Sequence, residues 1–221
     1  MIWGYGSLII CFVLLLKYVS RRLKWQKLNK LLRRGHIPCT IVVGIVIIIH
    51  LLVTYKVWPA RHIVLIGSGI VTALLIFVMA LTYLFRKRLG GMWMKYHRWG
   101  AALCLALIIC HVGIYLVSLD TYMKKMADLK ISGIELSNVS DGTYIGSCDV
   151  GYIYAKIEVT VKEKKIEKVI LLEHQNERGK RAEGIIDKIV EMQSTQIDSV
   201  TGATNSSLVI KKAVENALTG E

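Results

Sequence analysis

The first 119 residues hold 15 lysines and arginines but no aspartate or glutamate, and all 16 acids fall from Asp120 onward. Within the acid-free part lie four apolar runs, approximately 2–19, 36–57, 62–85 and 98–119. Each comes close to the roughly 20 residues that a helix needs to cross the hydrocarbon core of a bilayer. The first run lacks a charged n-region and a small-residue cleavage site, so it reads as a retained span, shortened by Lys17. The chain is therefore expected to be an all-α membrane four-helix bundle over residues 1–119. A linker over 120–137 and a small α+β domain over 138–221 follow.

The formal net charge of +13 belongs to the membrane part, since the remainder has 14 basic and 16 acidic residues. Topology explains that excess better than any nucleic-acid partner does. Eight basic residues from Lys17 to Arg34 separate the first two spans, and five from Arg86 to Arg98 separate the third and fourth. Only Lys56 and Arg61 lie between the second and third. The positive-inside rule places the two basic loops in the cytoplasm and everything after about residue 119 outside, in a multi-pass plasma-membrane protein. Trp58, Trp93 and Trp99 fall near span ends, where amphipathic rings settle. The stretch Leu23–Leu32 reads as a basic amphipathic helix on the inner leaflet.

Two histidine pairs, His36/His50 and His97/His111, share a 14-residue spacing within the second and fourth spans. At roughly 100° per residue this puts both rings of a pair within about 40° of one helix face, about 21 Å apart along the axis. Ionisable residues inside a membrane are costly and tend to be functional. The second and fourth spans run in the same direction, so the expected matches are His36 with His97 at the inner edge and His50 with His111 further out. Each match makes a bis-imidazole iron site, and two axial imidazoles leave no open position for oxygen. The expected metal ligands are thus His36, His50, His97 and His111, and the expected groups are two b-type haems. Zinc fits poorly, because ligands some 20 Å apart on one helix cannot converge on one ion. His62 is a possible substitute ligand but reads better as interfacial, and His174 reads as a surface residue.

The five cysteines form no framework: four lie in apolar spans and Cys148 stands alone outside. Cys110 precedes His111, but Leu107 stands where a second cysteine would be needed, so c-type haem attachment is excluded at that site. The pattern of the membrane half resembles the four-helix di-haem cytochrome b modules, including those of ferric-reductase type.

After residue 120 the period changes. A strand opens at Asp141–Gly146 (DGTYIG), Ala155–Val161 alternates as a half-buried strand, and another follows at Ile166–Leu172. Glu183–Met192 and Ser206–Leu218 read as amphipathic helices. Before the last helix stands Asp198-Ser199-Val200-Thr201-Gly202-Ala203-Thr204. Its small residues deliver Thr204 to a helix N-terminus, where free backbone N–H groups favour a phosphate. From spacing alone, an ordinary cap with Thr204 or Asn205 at the N-cap position is the better reading.

The stretch resembles the D-x-x-[ST]-G-A-[ST] flavinylation signal of the FMN-binding domain family. Members include the C subunit of sodium-pumping NADH:quinone reductases and the G subunit of Rnf complexes. Asp198, Thr201, Gly202, Ala203 and Thr204 all match. The resemblance implies FMN joined through a phosphoester to Thr204 by an extracytoplasmic flavin transferase. It extends over about residues 138–218. Together the two halves suggest a carrier or oxidoreductase subunit that passes electrons through two haems to FMN. The donor would be quinol or a dehydrogenase, and the acceptor extracytoplasmic. A terminal ferric or quinone reductase, and a non-conducting flavin-binding sensor or assembly subunit, are the alternatives. Gly67-Ser68-Gly69 lies inside a span and cannot serve as a nicotinamide-binding loop.

Overall fold

The computed structural model describes residues 2–176 and 178–220. It divides into two compact units, residues 2–56 with 62–115, and residues 57–61 with 116–220.

The first unit is helical: α1 (Ile2–Arg22), α2 (Gln26–Thr54), α3 (Ile63–Leu84), the short α4 (Arg86–Leu89) and α5 (Met92–Asp128) as far as residue 115. The four long helices are long and apolar enough to cross a membrane. Ile9, Phe12, Phe77 and Ile109 are 60–64% exposed, an outward-facing apolar surface suited to lipid. Gly4 near the start of α1 meets His50 near the end of α2, so these helices run antiparallel. Contacts of Gly69 with His111, of Met79 with Gly100 and of Tyr83 with Trp93 give α3 and α5 the same relation.

Two boundaries differ from the sequence reading. Leu23–Leu32 is no separate surface helix: Lys24 turns the chain at a φ of 55°, and from Gln26 one helix of 29 residues runs on through the span. The residues from Gln26 to Arg34 are mostly good helix formers, and Pro38 forfeits one backbone bond without ending the helix. Likewise α5 begins at Met92 and ends at Asp128, well outside 98–119. Hydropathy marks what suits lipid, and nothing in the flanking polar residues stops the helix.

The second unit contains an antiparallel sheet in the order β1 (Gly142–Asp149), β2 (Tyr154–Lys162), β3 (Lys165–Gln175), with α6 (Ile185–Met192) against β3 and α7 (Thr204–Thr219) across β1 and β2. The alternation in β2 puts Ala155, Ile157, Val159 and Val161 on one buried face. They meet Val209, Ile210, Ala213 and Val214 of α7 in the core. Gly146 is where β1 and α7 come closest, since a Cβ there would land on the backbone of Ala213 and Ala217. Asp141, the first residue of the DGTYIG stretch, accepts from the N–H groups of Glu163 (2.9 Å) and Lys164 (3.4 Å). Both of these residues have positive φ, as a two-residue hairpin turn of the type that matches strand twist requires.

Residues 120–137, expected to form a linker, are built into this unit. They continue α5 to Asp128, and Tyr122, Met126, Leu129, Ile134 and Leu136 pack on the core. The carboxylate of Glu215, only 2% exposed on α7, accepts from the N–H groups of Gly133 (2.8 Å) and Ser132 (3.2 Å) and from the Thr195 hydroxyl (2.8 Å).

Candidate functional site

The Asp198–Thr204 turn is held from within. Ala203 N–H donates to the Val200 carbonyl (2.9 Å), and the Ser207 hydroxyl bridges Val200 N–H (3.1 Å) and the Ala203 carbonyl (3.0 Å). Gly202 has a φ of 79°, a backbone state that glycine adopts at little cost. Lys211, 5% exposed on α7, donates to the Ile197 carbonyl (2.8 Å), just before Asp198. Burial pulls its ammonium below the ordinary lysine range, against the opposing pull of the nearby Asp198 and Glu215 charges.

The expectation that Thr204 or Asn205 caps the helix is not met. Ala203 occupies the N-cap position, makes no side-chain cap bond and is buried, so Thr204 becomes the first helical residue with its side chain exposed. Among the described residues, the Thr204 hydroxyl makes no hydrogen bond. The amide of Ser207 is the first to be engaged by the helix, through the Ala203 carbonyl. Those of Thr204, Asn205 and Ser206 therefore stay among the unsatisfied donors of a first turn. An unengaged hydroxyl beside such donors, flanked by Gly202 and Ala203, suits a bulky phosphate-bearing group. Residues 151–219 match the FMN-binding domain family.

That match covers β2, β3, α6, α7 and all five motif residues, Asp198, Thr201, Gly202, Ala203 and Thr204, while β1 precedes it. No curated protein and no solved structure matches the chain. Beside Thr204, Asn205 donates to the hydroxyl of Tyr122 (2.7 Å), whose ring stacks on that of Tyr152 at 4.9 Å between centroids. The Arg61 guanidinium lies 3.4 Å from the Tyr152 ring centroid. Neither Tyr122 nor Arg61 lies within the matched segment, and no motif pointed to them.

In the helical unit the structure brings His36 of α2 and His97 of α5 together, with ring centroids 6.0 Å apart and planes 75° from parallel. With metal–nitrogen bonds of about 2 Å on each side, two axial imidazoles have centroids roughly 6 Å apart. Nδ1 of both rings is buried without a hydrogen-bond partner. His97 also adjoins Trp93 at 6.1 Å. At the other level, His111 Nδ1 lies 2.9 Å from the Ser68 hydroxyl, which donates its proton to the Leu65 carbonyl (2.9 Å). With the Ser68 hydrogen on that carbonyl, the Ser68 oxygen accepts from Nδ1–H, and Nε2 keeps a free lone pair, the tautomer that a metal ligand needs. His50 lies against Gly4, where a Cβ would come within 3.1 Å of the ring, and His111 against Gly69, within 3.0 Å. Thus Gly69 makes room for an imidazole, while Gly44 and Gly67 face nothing within 4 Å.

Among the described residues, no three His, Cys, Asp or Glu side chains gather as a metal cage would require. A haem iron needs only two axial ligands from the protein, so paired histidines fit that group and not zinc. His62 is otherwise engaged: its ring accepts from Val64 N–H (3.2 Å) as the N-cap of α3. His174 is not the surface residue expected. Its side chain is 2% exposed, with Nδ1 3.1 Å from Glu183 Oε1 and Nε2 unpartnered. Its place on β3 under the Lys180–Gly184 turn arises only in the folded domain.

Proposed function

We propose that the protein is a transmembrane electron carrier, with one b-type haem between His36 and His97, a second between His50 and His111, and an FMN held covalently through Thr204 outside the cytoplasm. The reading is carried by one combination: an FMN-binding domain with an exposed, unengaged Thr204 hydroxyl, joined in one chain to apolar helices bearing histidines at two levels. When bound, the haems and flavin supply the one- and two-electron chemistry. The chain's own part is to bind and orient. The four histidines would hold the two haem irons, Ser68 would set the tautomer of His111, and the turn held by Ser207 would present Thr204 to a flavin transferase. Asp198, Thr201, Gly202 and Ala203 form the signal that such an enzyme reads. Electrons would enter from quinol or a dehydrogenase and leave to an extracytoplasmic acceptor.

The deciding experiment pairs a reduced-minus-oxidised spectrum of the purified protein with mass spectrometry of the tryptic peptide Ile189–Lys211 after co-expression with a flavin transferase. Bands of two b haems and an added flavin phosphate support the carrier. An attached flavin without haem bands identifies a flavin-binding sensor or assembly subunit instead.

Orientation needs its own probe. Cys148 is a poor one: its half-buried thiol is pushed up to about 11 by burial, so little reactive thiolate forms. Ser137→Cys on the exposed surface, in a Cys148→Ser background, should react with an impermeant reagent on intact cells. Reaction only after lysis overturns the extracytoplasmic assignment.

A further inference from the structure

Lys17 is the one basic residue within the apolar run of α1, and its placement is unexplained by topology alone. It lines a cavity of about 480 Å³ between α1 and α2, together with Arg34, His36 and the apolar Val13, Leu14 and Leu31. Cavities of about 300–1,000 Å³ are the size range of small-molecule and cofactor sites. The wall is apolar except for three basic side chains, and no acid exists in this half of the chain to neutralise them. Such a lining calls for an occupant that is flat or apolar over most of its surface and doubly anionic at one edge. An ammonium inside a span is stabilised by an anionic partner, which the protein itself does not provide here.

His36 belongs to the cavity wall and also faces His97 at 6.0 Å. A porphyrin held by His36 and His97 would adjoin this cavity, because His36 is shared by both. We infer that Lys17 and Arg34 hold the two carboxylates of the inner haem, with the cavity between α1 and α2 receiving that edge of the ring. The inference rests on the haem reading above. It gives α1, which carries no histidine, a binding role in the site. Two fixed cations beside the iron favour the reduced, less positive form, so they raise the potential of the inner haem above what the same ligands alone would set.

The test uses the full-length protein in detergent or nanodiscs, with haem content and optical redox titration as readouts. Lys17→Met and Arg34→Met should each lower the midpoint of one haem or cut its retention, and the double variant should do so most. Lys17→Arg should keep the wild-type midpoint, which a purely steric role would not explain. The other haem should be unmoved throughout. Full occupancy and unchanged midpoints of both haems in the double variant overturn the inference. So does loss of a co-purified anionic phospholipid from that variant with both midpoints unchanged, which assigns the cavity to a lipid headgroup. Absence of any haem from the wild type is a different result: it removes the carrier reading itself.

Discussion

The two candidate sites use opposite designs. In the helical unit the candidate ligands lie within long helices, whose backbone geometry sets their spacing along each helix. In the second unit Thr204 stands at the first position of α7, and its presentation depends on Ser207, Gly202 and a buried Ala203 around it. A helix carries a repeat of chemistry as a ruler does, whereas a turn exposes one atom only if a core holds it still. The histidine sites should therefore tolerate distant changes and fail one ligand at a time. The flavin site should fail in two separable ways, by loss of the atom or by loss of the core.

Loss of the atom is the largest effect expected. Thr204→Val keeps the side-chain shape but removes the nucleophilic oxygen, so the mass of peptide Ile189–Lys211 should show no flavin phosphate while the domain melts as the wild type does. Thr201→Val should lower the extent of attachment without abolishing it, because Thr201 belongs to the recognised turn but is not the acceptor. A flavin mass persisting in Thr204→Val would show that another residue is the acceptor.

Loss of the core comes next. Gly146→Ala places a methyl group on the backbone of α7, where no side chain can yield. Such overpacking costs typically 1–3 kcal/mol and more against backbone. Thermal unfolding of the second unit should shift down by several degrees, with flavinylation falling as the folded fraction falls. An unchanged melting temperature would refute the close approach of β1 and α7. Glu215→Ala, which strands the amides of Ser132 and Gly133, should destabilise the same unit by about 1–3 kcal/mol.

On the helical side, His50→Ala or His111→Ala should remove one haem of two and spare the other, read as half the b-type absorbance. Ser68→Ala should act in the same direction but more weakly. A ligand's hydrogen-bonding partner is typically worth 10–100-fold in metal affinity, and here it sets only the tautomer of His111. Full occupancy in both histidine variants would break the pairing.

The smallest effect concerns pH. The N–H groups of Glu163 and Lys164 hold the Asp141 carboxyl below its ordinary range. A depressed carboxylate contributes stability that is present above its unfolded value and lost as pH falls through the folded one. The wild type should therefore lose stability on acidification in a window below the ordinary aspartate range, and Asp141→Asn should flatten that part of the profile. Equal acid sensitivity in the two proteins would remove Asp141 from the hairpin's support.

Much of this was legible in the residues. Four apolar runs, a 14-residue histidine spacing and a seven-residue turn motif are local facts, and helix period and strand alternation turn them directly into geometry. The strands and last helix lie within a few residues of where their patterns place them. What failed was what depends on remote contacts. The stretch 120–137 reads as a linker because nothing local shows that Glu215, more than 80 residues away, ties down its amides. His174 reads as exposed because its neighbour Glu183 arrives only when the chain folds back. The partnership of Ser68 with His111 and the cavity that joins Lys17 to Arg34 and His36 are likewise tertiary.

The sequence by itself thus determined which segments suit lipid, which residue types could hold a metal or a phosphate, and how far apart they stand along each helix. Only the tertiary structure decided that Ala203 caps α7 and leaves the Thr204 hydroxyl unengaged, and that His36 meets His97. The physical reason is one of range. Backbone periodicity acts within a few residues, whereas the partner that occupies or frees a polar atom is chosen by packing between segments distant in the chain.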